Sequence, residues 1–356
     1  MASYRSQIRQ SLHYFARPQE SILRAPLVTA AAWRGEQLVS DPIWREVLSS
    51  SDVAEIERAI RHARSLCKPD GTLRRRDFPL PTLARRIDGW RHTLRHGRGF
   101  QVITGVPVDR WSQRDAELFF WCFGLHLGVP GAQNPRGDLL GHVRDTGAPA
   151  DGSVRQYRTN EHIDFHCDLA DVVGLLCLRA AARGGASRIA SSVTAYNVLL
   201  ARRPDLVTRL YEPFLMDTKG EGGVRYLPVV PCAYASGELR TFWHIGYFRA
   251  VARYADAPPI DTREAQILDL YDAIMNEPGF ALEMDLAPGD IQLVSNHTIV
   301  HGRTAFDDAP HETEKRHLLR LWLSLPERVP LGLRLRTERS RLQVLGRLAH
   351  ARLGRD

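Results

Sequence analysis

Residues 162–178, HIDFHCDLADVVGLLCL, combine a metal-binding pattern with the beginning of a buried strand. His166 and Asp168 are two positions apart, so on an extended chain their side chains point to the same side. The apolar run at 172–178 is typical of a compact strand in a core. A second histidine from elsewhere would complete a two-histidine, one-carboxylate set, which leaves coordination positions open on a non-haem iron(II). The stretch therefore predicts a metal site at the end of a core strand.

A competing His-x-Asp pattern, His162-Ile-Asp164, lies four residues upstream. We prefer His166 and Asp168 because the apolar strand begins directly after them. His162 is then expected at the mouth of a pocket, or in a structural role. An isolated His-x-Asp is a weak signal in a chain with 14 histidines, so the assignment depends on a third ligand and on the residues that come after that ligand in the chain.

His301 is the candidate third ligand, in residues 296–303 (NHTIVHGR), just after a Gly-Asp turn and a short apolar strand. Residues 316–324 (RHLLRLWLS) then read as a strand that puts Arg316, Arg320 and Trp322 on one face. Buried guanidiniums are costly without anionic partners, and their forked donors match a carboxylate. The strand therefore predicts binding sites for two different acids, with Trp322 and Leu318 in the core.

The rest of the chain reads as short strands with few helices between them, which favours a double-sheet or barrel core with flanking helices, a mainly β (α+β) fold. At 44% apolar and 25% charged residues, the chain is not disordered, collagen-like or a coiled coil. It contains neither G-x-G-x-x-G nor a P-loop, so nucleotide-driven chemistry is disfavoured. Residues 1–50 read as irregular. The periodicity predicts helices at Asp52–Cys67 (with a capping box at Asp52 and Glu55), Gln113–Leu127 and Thr262–Asn276.

The order of five motifs resembles the TauD/TfdA-type iron(II)/2-oxoglutarate dioxygenases, which are clavaminate synthase-like. They are His166-x-Asp168, Arg183-Gly-Gly-Ala-Ser187, Pro288-Gly-Asp290, His301-Gly-Arg303 and Arg316-x-x-x-Arg320. The resemblance covers residues 95–326 and implies a double-stranded β-helix, or jelly roll, with an inserted lid segment around 215–280. Residues 1–94 would be a helical or irregular extension packed on this core. Two features depart from the family: a serine stands where threonine is common, and the spacing from His301 to Arg316 is longer than in taurine dioxygenase.

The resemblance also implies roles for individual residues. His166, Asp168 and His301 would bind Fe(II), and Ser187 with Arg316 would hold the distal carboxylate of 2-oxoglutarate. Substrate contacts are expected from four residues: Arg320, His162, Asn134 and Tyr247. Arg303 is expected either to pair with Asp307 or Asp308 or to contact the cosubstrate.

The implied activity consumes O2 and 2-oxoglutarate, releases succinate and CO2, and hydroxylates (or desaturates) an unactivated C–H bond. The substrate would be a small polar metabolite that carries a carboxylate. Because Asp168 is present, no halide position is free and halogenation is disfavoured. The alternative is a non-catalytic jelly-roll protein that only binds a ligand or partner.

The net charge of +7 could indicate a nucleic-acid-binding protein. However, residues 327–356 hold eight arginines against Glu327, Glu338 and Asp356, a net charge of +5. We predict that this tail is an amphipathic helix that packs on the core or joins a homo-oligomer, and we expect no nucleic acid or membrane partner. Five scattered cysteines and the absence of an apolar leader predict a cytoplasmic protein.

Overall fold

A computed structural model describes residues 4–148, 155–325 and 346. The predicted tail at 327–356 lies outside these residues, apart from residue 346, and its helix and its oligomer contact stay predictions. The helices of the described residues are α1 (Gln7–Phe15), α2 (Gly35–Val39), α3 (Ser50–Ser65), α4 (Leu83–His96), α5 (Gln113–Leu127), α6 (Ser192–Arg202), α7 (Ile245–Ala250) and α8 (Thr262–Met275).

The strands fall between and after these helices. They are β1 (Arg45–Val47), β2 (Phe100–Thr104), β3 (Val129–Pro130), β4 (Leu140–Val143), β5 (Ile163–His166), β6 (Val172–Arg179), β7 (Arg183–Gly184), β8 (Ser187–Ser191), β9 (Phe214–Asp217), β10 (Tyr226–Val229), β11 (Cys232–Ala235), β12 (Glu238–Thr241), β13 (Leu282–Met284), β14 (Ile291–Ser295), β15 (Ile299–Arg303), β16 (Phe306–Asp307) and β17 (His317–Ser324). The mixture of strands and helices confirms the α+β class.

Two sheets form the centre of the molecule. The larger sheet has the order β1-β2-β14-β6-β17-β3, with β4 also paired to β17, and the smaller sheet has the order β13-β8-β15-β5. Val173 and Trp322 from the larger sheet share one buried cluster with Ile189 and Ile299 from the smaller sheet. The sheets therefore face each other, and their apolar inner faces form the core between them.

Strand β17 shows how the sequence alternation distributes side chains to the two faces. Leu319, Leu321 and Leu323 pack with the aromatic residues of α5 in a second cluster, which also includes residues of α3 and α4. The intervening Leu318 and Trp322 point to the inter-sheet core. The outer face of the larger sheet is thus covered by helices, and its inner face is left to line the site.

The predicted helices at 52–67, 113–127 and 262–276 are present with small differences in their ends. The capping box of α3 was placed one turn too late, because Ser49 and Asp52 form it. Glu55 instead accepts hydrogen bonds from the backbone N–H groups of Thr82 and Leu83, at 3.0 Å each, at the start of α4. A carboxylate at a helix N-terminus satisfies donors that the helix itself cannot.

The prediction that residues 1–50 are irregular was wrong for α1 and α2. Ser6 caps α1 by accepting from Arg9 N–H. The sequence of α1, QIRQSLHYF, does not show a clear apolar face. Two polar residues, Gln10 and His13, lie on the face that is turned toward the core. No helix among the described residues has the length and apolar content that a membrane crossing would need.

Candidate metal centre

Two neighbouring strands of the smaller sheet bring the predicted ligands together. His166 ends β5 and His301 lies in β15, and the antiparallel register pairs these two residues directly. Their ring centroids are 4.3 Å apart. Asp168 follows in the turn between β5 and β6, and ligand atoms of the three side chains all lie within 4.8 Å of one another. The predicted set thus converges at one point in space.

The carboxylate of Asp168 is held in place by the larger sheet. Trp322 Nε1 donates to its Oδ2 at 2.9 Å, and Arg320 Nη1 donates to the same oxygen at 3.4 Å. Burial by itself would raise the pKa of Asp168, but the Arg320 guanidinium and the two histidines hold that pKa below its ordinary value. The carboxylate is therefore ionised, with its Oδ2 anchored by donors from the opposite sheet.

His301 presents a neutral imidazole. Burial, followed by the neighbouring His166, lowers the pKa of His301 to about 3. His166 Nδ1 lies 2.9 Å from the carbonyl oxygen of Asp164, and this contact leaves Nε2 for another partner. His301 Nδ1 is buried without a hydrogen-bond partner. Two imidazoles and one carboxylate are the donor set that suits a non-haem iron(II), so the residues present fit the implied metal.

A cavity of about 60 Å³ extends from the two histidines to Ser187 and Arg316. Its walls are mostly apolar, with Val173 and Leu175 from the larger sheet and Leu286 beside them. Its polar residues lie at the metal-ligand end and at the arginine end. This distribution suits an elongated molecule with polar groups at both ends.

Two arginines define the far end of the cavity. Arg303 and Arg316 lie over the ring of Phe306, with guanidinium carbons 4.6 and 5.1 Å from its centroid. Arg303 Nε and Nη1 and Arg316 Nη1 are buried without hydrogen-bond partners. Burial lowers the pKa of both side chains, that of Arg303 to about 9. Buried donors without acceptors are costly, so this end of the cavity is suited to an anion.

Gly184 and Gly185 let the chain pass close to Arg316. Both have positive φ values, +70° and +75°, and a side chain on Gly185 would meet Arg316 Nε at 3.1 Å. A β-carbon on Gly184 would lie 2.3 Å from the carbonyl oxygen of Ala305. The Gly-Gly pair is therefore required by backbone conformation and by space.

Arg303 does not form an ion pair with Asp307 or Asp308, the two partners that the sequence suggested, but has different partners in the structure. Its guanidinium donates to the backbone carbonyls of Thr159 and Glu161. Asp307 pairs with Arg183 at 2.9 Å, and Asp308 accepts from the backbone N–H of Arg316 at 2.7 Å. Arg303 lines the cavity, as its expected cosubstrate contact would require.

Ser187 and Arg320 both line the cavity, and each has a partner that the sequence did not indicate. The Ser187 hydroxyl donates to Gln292 Oε1 at 2.9 Å. Arg320 Nε donates to Gln133 Oε1 at 2.8 Å, and its guanidinium lies 4.5 Å from the centre of the Tyr157 ring. Gln133 and Gln292 come from distant parts of the chain, so short sequence patterns contain no signal for them.

The remaining predicted substrate residues differ in their placement. Tyr247 stacks on His244 with centroids 3.6 Å apart, and His244 lies 5.0 Å from the His166 ring, so this pair extends outward from the metal ligands. Asn134 instead holds its own loop, since its Nδ2 donates to Asp138 at 2.6 Å. His162 is exposed, 3.4 Å from Asp164. None of these three residues lines the cavity, and their substrate contacts stay predictions.

Trp322 is a site residue whose role sequence reasoning missed. Trp322 was assigned to the core, and it does pack there, but its indole nitrogen also contacts Asp168. Its position two residues after Arg320 was a usable signal, since both share one strand face. His244 lies beside His166 through a backbone bridge between segments distant in sequence.

Comparisons with known proteins agree with this geometry. The sequence model of the taurine catabolism dioxygenase TauD, TfdA family matches residues 63–322. FR-33289 synthase from Streptomyces rubellomurinus is 31% identical over 313 residues, which are 85% of this chain and 92% of that protein. The taurine hydroxylase-like protein SAT17 from Stachybotrys chartarum is 27% identical over 307 residues, which are 82% and 77% of the two chains.

Among solved structures, an asparagine oxygenase in complex with Fe(II), (2S,3S)-3-hydroxyasparagine and succinate has a similar fold. The TM-score is 0.62 at 21% identity, and the alignment covers 79% of this chain and 93% of that one. The family match over residues 63–322 and the 31% identical relative argue against the alternative of a non-catalytic binding protein. The predicted resemblance is confirmed: the chain belongs to the TauD/TfdA family and is a non-haem iron(II)- and 2-oxoglutarate-dependent dioxygenase.

Proposed function

We propose that His166, Asp168 and His301 bind the iron, that Arg316 binds the distal carboxylate of 2-oxoglutarate, and that the enzyme hydroxylates a small substrate that carries an anionic group. The observation that supports this most directly is the cavity itself. It joins the converged donor set to the buried guanidinium of Arg316, whose Nη1 has no hydrogen-bond partner. We also infer that the two facing sheets are the jelly roll of this family.

The bound metal with its cosubstrate supplies the oxidising power, and one O2 is consumed as 2-oxoglutarate becomes succinate and CO2 and a C–H bond becomes C–OH. The protein residues bind and orient. Asp168 stays ionised because Trp322 and Arg320 donate to it. His301 stays neutral because it is buried. Arg316 supplies the forked donors that a carboxylate needs, and Ser187 lies beside it along the cavity wall.

Cationic side chains near Tyr247 support an anionic substrate. Lys219 Nζ lies 5.4 Å from the centre of the Tyr247 ring, in the segment predicted to be the lid. Arg155 holds that segment through a two-fold ion pair with Glu221, at 2.8 and 2.5 Å. Arg320 Nη1 lies 3.4 Å from Asp168 Oδ2. The positive charge of Lys219 beside Tyr247 favours a negatively charged group at that end of the substrate.

The names of the relatives point to small substrates of the same kind. One is called taurine hydroxylase-like, and the solved asparagine oxygenase holds a hydroxylated amino acid. We therefore propose an amino acid or a similar small molecule with a carboxylate or another acid group. Hydroxylation is the reaction that these names favour.

Turnover of 2-oxoglutarate tests the proposal. Iron-loaded enzyme is incubated with amino acids and amino sulfonates, and succinate and the oxidised product are measured by mass spectrometry. We expect one substrate class to raise succinate formation and to gain one oxygen atom. His166→Ala should abolish turnover, whereas the exposed His62→Ala on α3 should leave it unchanged. Turnover that persists without His166 would contradict the metal assignment. Stimulation only by substrates without an acid group would contradict the substrate class.

A further inference from the structure

Helix α1 lies outside residues 63–322, the part of the chain that matches the family, yet it contacts the turn that carries Asp168. This turn, residues 167–171, connects β5 to β6. Its backbone carbonyls and its second carboxylate, Asp171, need partners because they are buried.

The helix supplies these partners from consecutive turns of its inner face. Gln10 Nε2 donates to the carbonyl oxygen of Leu169 at 3.2 Å, and Gln10 Oε1 accepts from the hydroxyl of Ser324 at 2.8 Å. One turn later, His13 Nε2 donates to Asp171 Oδ2 at 2.8 Å. Gln10 is fully buried, so its amide has no water to replace these contacts.

Asp171 joins the helix to the turn between β14 and β15, which precedes His301. Its Oδ1 accepts from His297 Nε2 at 2.9 Å, and its Oδ2 also accepts from the backbone N–H of Leu325 at 2.8 Å. A buried carboxylate with donors on both oxygens is rigidly placed, and removing one donor leaves a charge that is incompletely satisfied.

Asn296 completes the connection to the metal ligand. Its Oδ1 accepts from the backbone N–H of Asp168 at 3.2 Å, and its Nδ2 donates to the carbonyl oxygen of Ala170 at 3.0 Å. The hydroxyl of Tyr14, on α1, donates to the backbone carbonyl of Asn296 at 2.7 Å. The Tyr14 ring also stacks on His297, with centroids 4.9 Å apart and planes 12° apart.

We propose that Gln10, His13 and Tyr14 of α1 are positioning residues for the metal ligand Asp168, which they reach through the 167–171 turn and Asn296. The proposal rests on the assignment of Asp168 as an iron ligand. Helix α1 is thereby part of the metal centre's support, although it is not part of the sequence that matches the family. Outer partners of metal ligands typically change metal affinity by about 10–100-fold when they are removed.

The test is the Fe(II) dissociation constant, measured anaerobically with 2-oxoglutarate by the absorbance of the ternary complex, with thermal unfolding measured beside it. His13→Ala should weaken Fe(II) binding by about tenfold, the lower end of the range for outer partners. His13→Gln keeps an N–H donor and should restore most of the affinity. Ile8→Ala is the matched control, since Ile8 is on the same helix and 62% exposed, and it should bind Fe(II) like the wild type.

A folded His13→Ala protein with unchanged Fe(II) affinity would overturn the proposal, and so would an equal loss in Ile8→Ala. Tyr14→Phe removes one hydroxyl with little change in volume, so it gives the answer if His13→Ala does not fold: reduced affinity supports the proposal and wild-type affinity overturns it. Asp168→Ala separates the two levels. If it leaves Fe(II) binding intact, the metal assignment fails. If it abolishes binding while the α1 variants bind normally, only the role of α1 fails.

Discussion

The hydrogen bond from Trp322 to Asp168 is the contact whose removal tests the metal centre most directly. Trp322→Phe keeps an aromatic ring in the inter-sheet core but deletes the N–H that donates to Oδ2 at 2.9 Å. A hydrogen bond to a charged group contributes about 1.5–3 kcal/mol. Because Arg320 Nη1 remains 3.4 Å from the same oxygen, we expect a loss near the lower limit, about 1.5 kcal/mol, or about tenfold in Fe(II) affinity.

Anaerobic Fe(II) titration in the presence of 2-oxoglutarate measures this loss. Trp44→Phe is the matched control, because Trp44 is buried in the same cluster and its indole N–H donates to a backbone carbonyl, that of Leu38, at 2.9 Å. Both variants lose a similar ring volume and one hydrogen bond, so their thermal stabilities should fall by similar amounts. Only Trp322→Phe should bind iron more weakly.

Wild-type Fe(II) affinity in a folded Trp322→Phe protein would refute the reasoning, since the indole would then be only a core residue. Equal weakening in Trp44→Phe would refute it as well, because the effect would come from general loosening of the inter-sheet core. Activity is not needed for either conclusion, so the test does not depend on knowing the substrate.

Three further predictions concern the cosubstrate, pH and thiols. Arg316→Lys should raise the KM for 2-oxoglutarate by about tenfold or more because the forked donor is lost. The control Arg183→Lys, at an exposed position, should leave this KM unchanged. An unchanged KM in Arg316→Lys would contradict the cosubstrate assignment. Burial and His142 lower the pKa of His317 to about 4. At His317 the unfolded chain then binds more protons than the folded one between about pH 6.5 and 4. His317 alone should therefore lower the free energy of unfolding of the metal-free protein by about 1–2 kcal/mol between pH 7 and 5, measured in urea titrations, and His317→Gln should remove that part of the loss. Cys67 is exposed and the other four cysteines are buried, so a thiol reagent should modify one thiol rapidly in the folded protein, and Cys67→Ser should abolish this phase.

The sequence predicted best those features that depend on residues only a few positions apart in the chain. The helix at 113–127 was predicted with the same ends as the structure shows, because helical periodicity acts over a few positions. The extended chain also places Cys167, between His166 and Asp168, opposite to them. Its thiol lies near the carbonyls of Thr241 and Ile299, and burial raises the pKa of this thiol to about 12.

Predictions failed where a polar residue has an inward role. Helix α1 was predicted to be irregular because Gln10 and His13 interrupt its apolar face. Both side chains form hydrogen bonds to a turn that lies about 160 residues away in the chain. Asn134 was predicted to contact the substrate because it is polar; in the structure it closes its own loop, and its substrate contact stays a prediction. Composition alone does not distinguish a polar side chain that serves a ligand from one that serves the backbone.

The sequence by itself determined the family's chemistry and the candidate ligands His166, Asp168 and His301, through the order of the family's motifs and the strand that carries Arg316 and Arg320. These depend on residue type and short spacing. Only the tertiary structure decided how the ligands are held, through Trp322 on the opposite sheet and Asn296 beneath the turn. Such contacts join segments more than 120 residues apart, and they depend on where the packed sheets place each side chain, which no local pattern encodes.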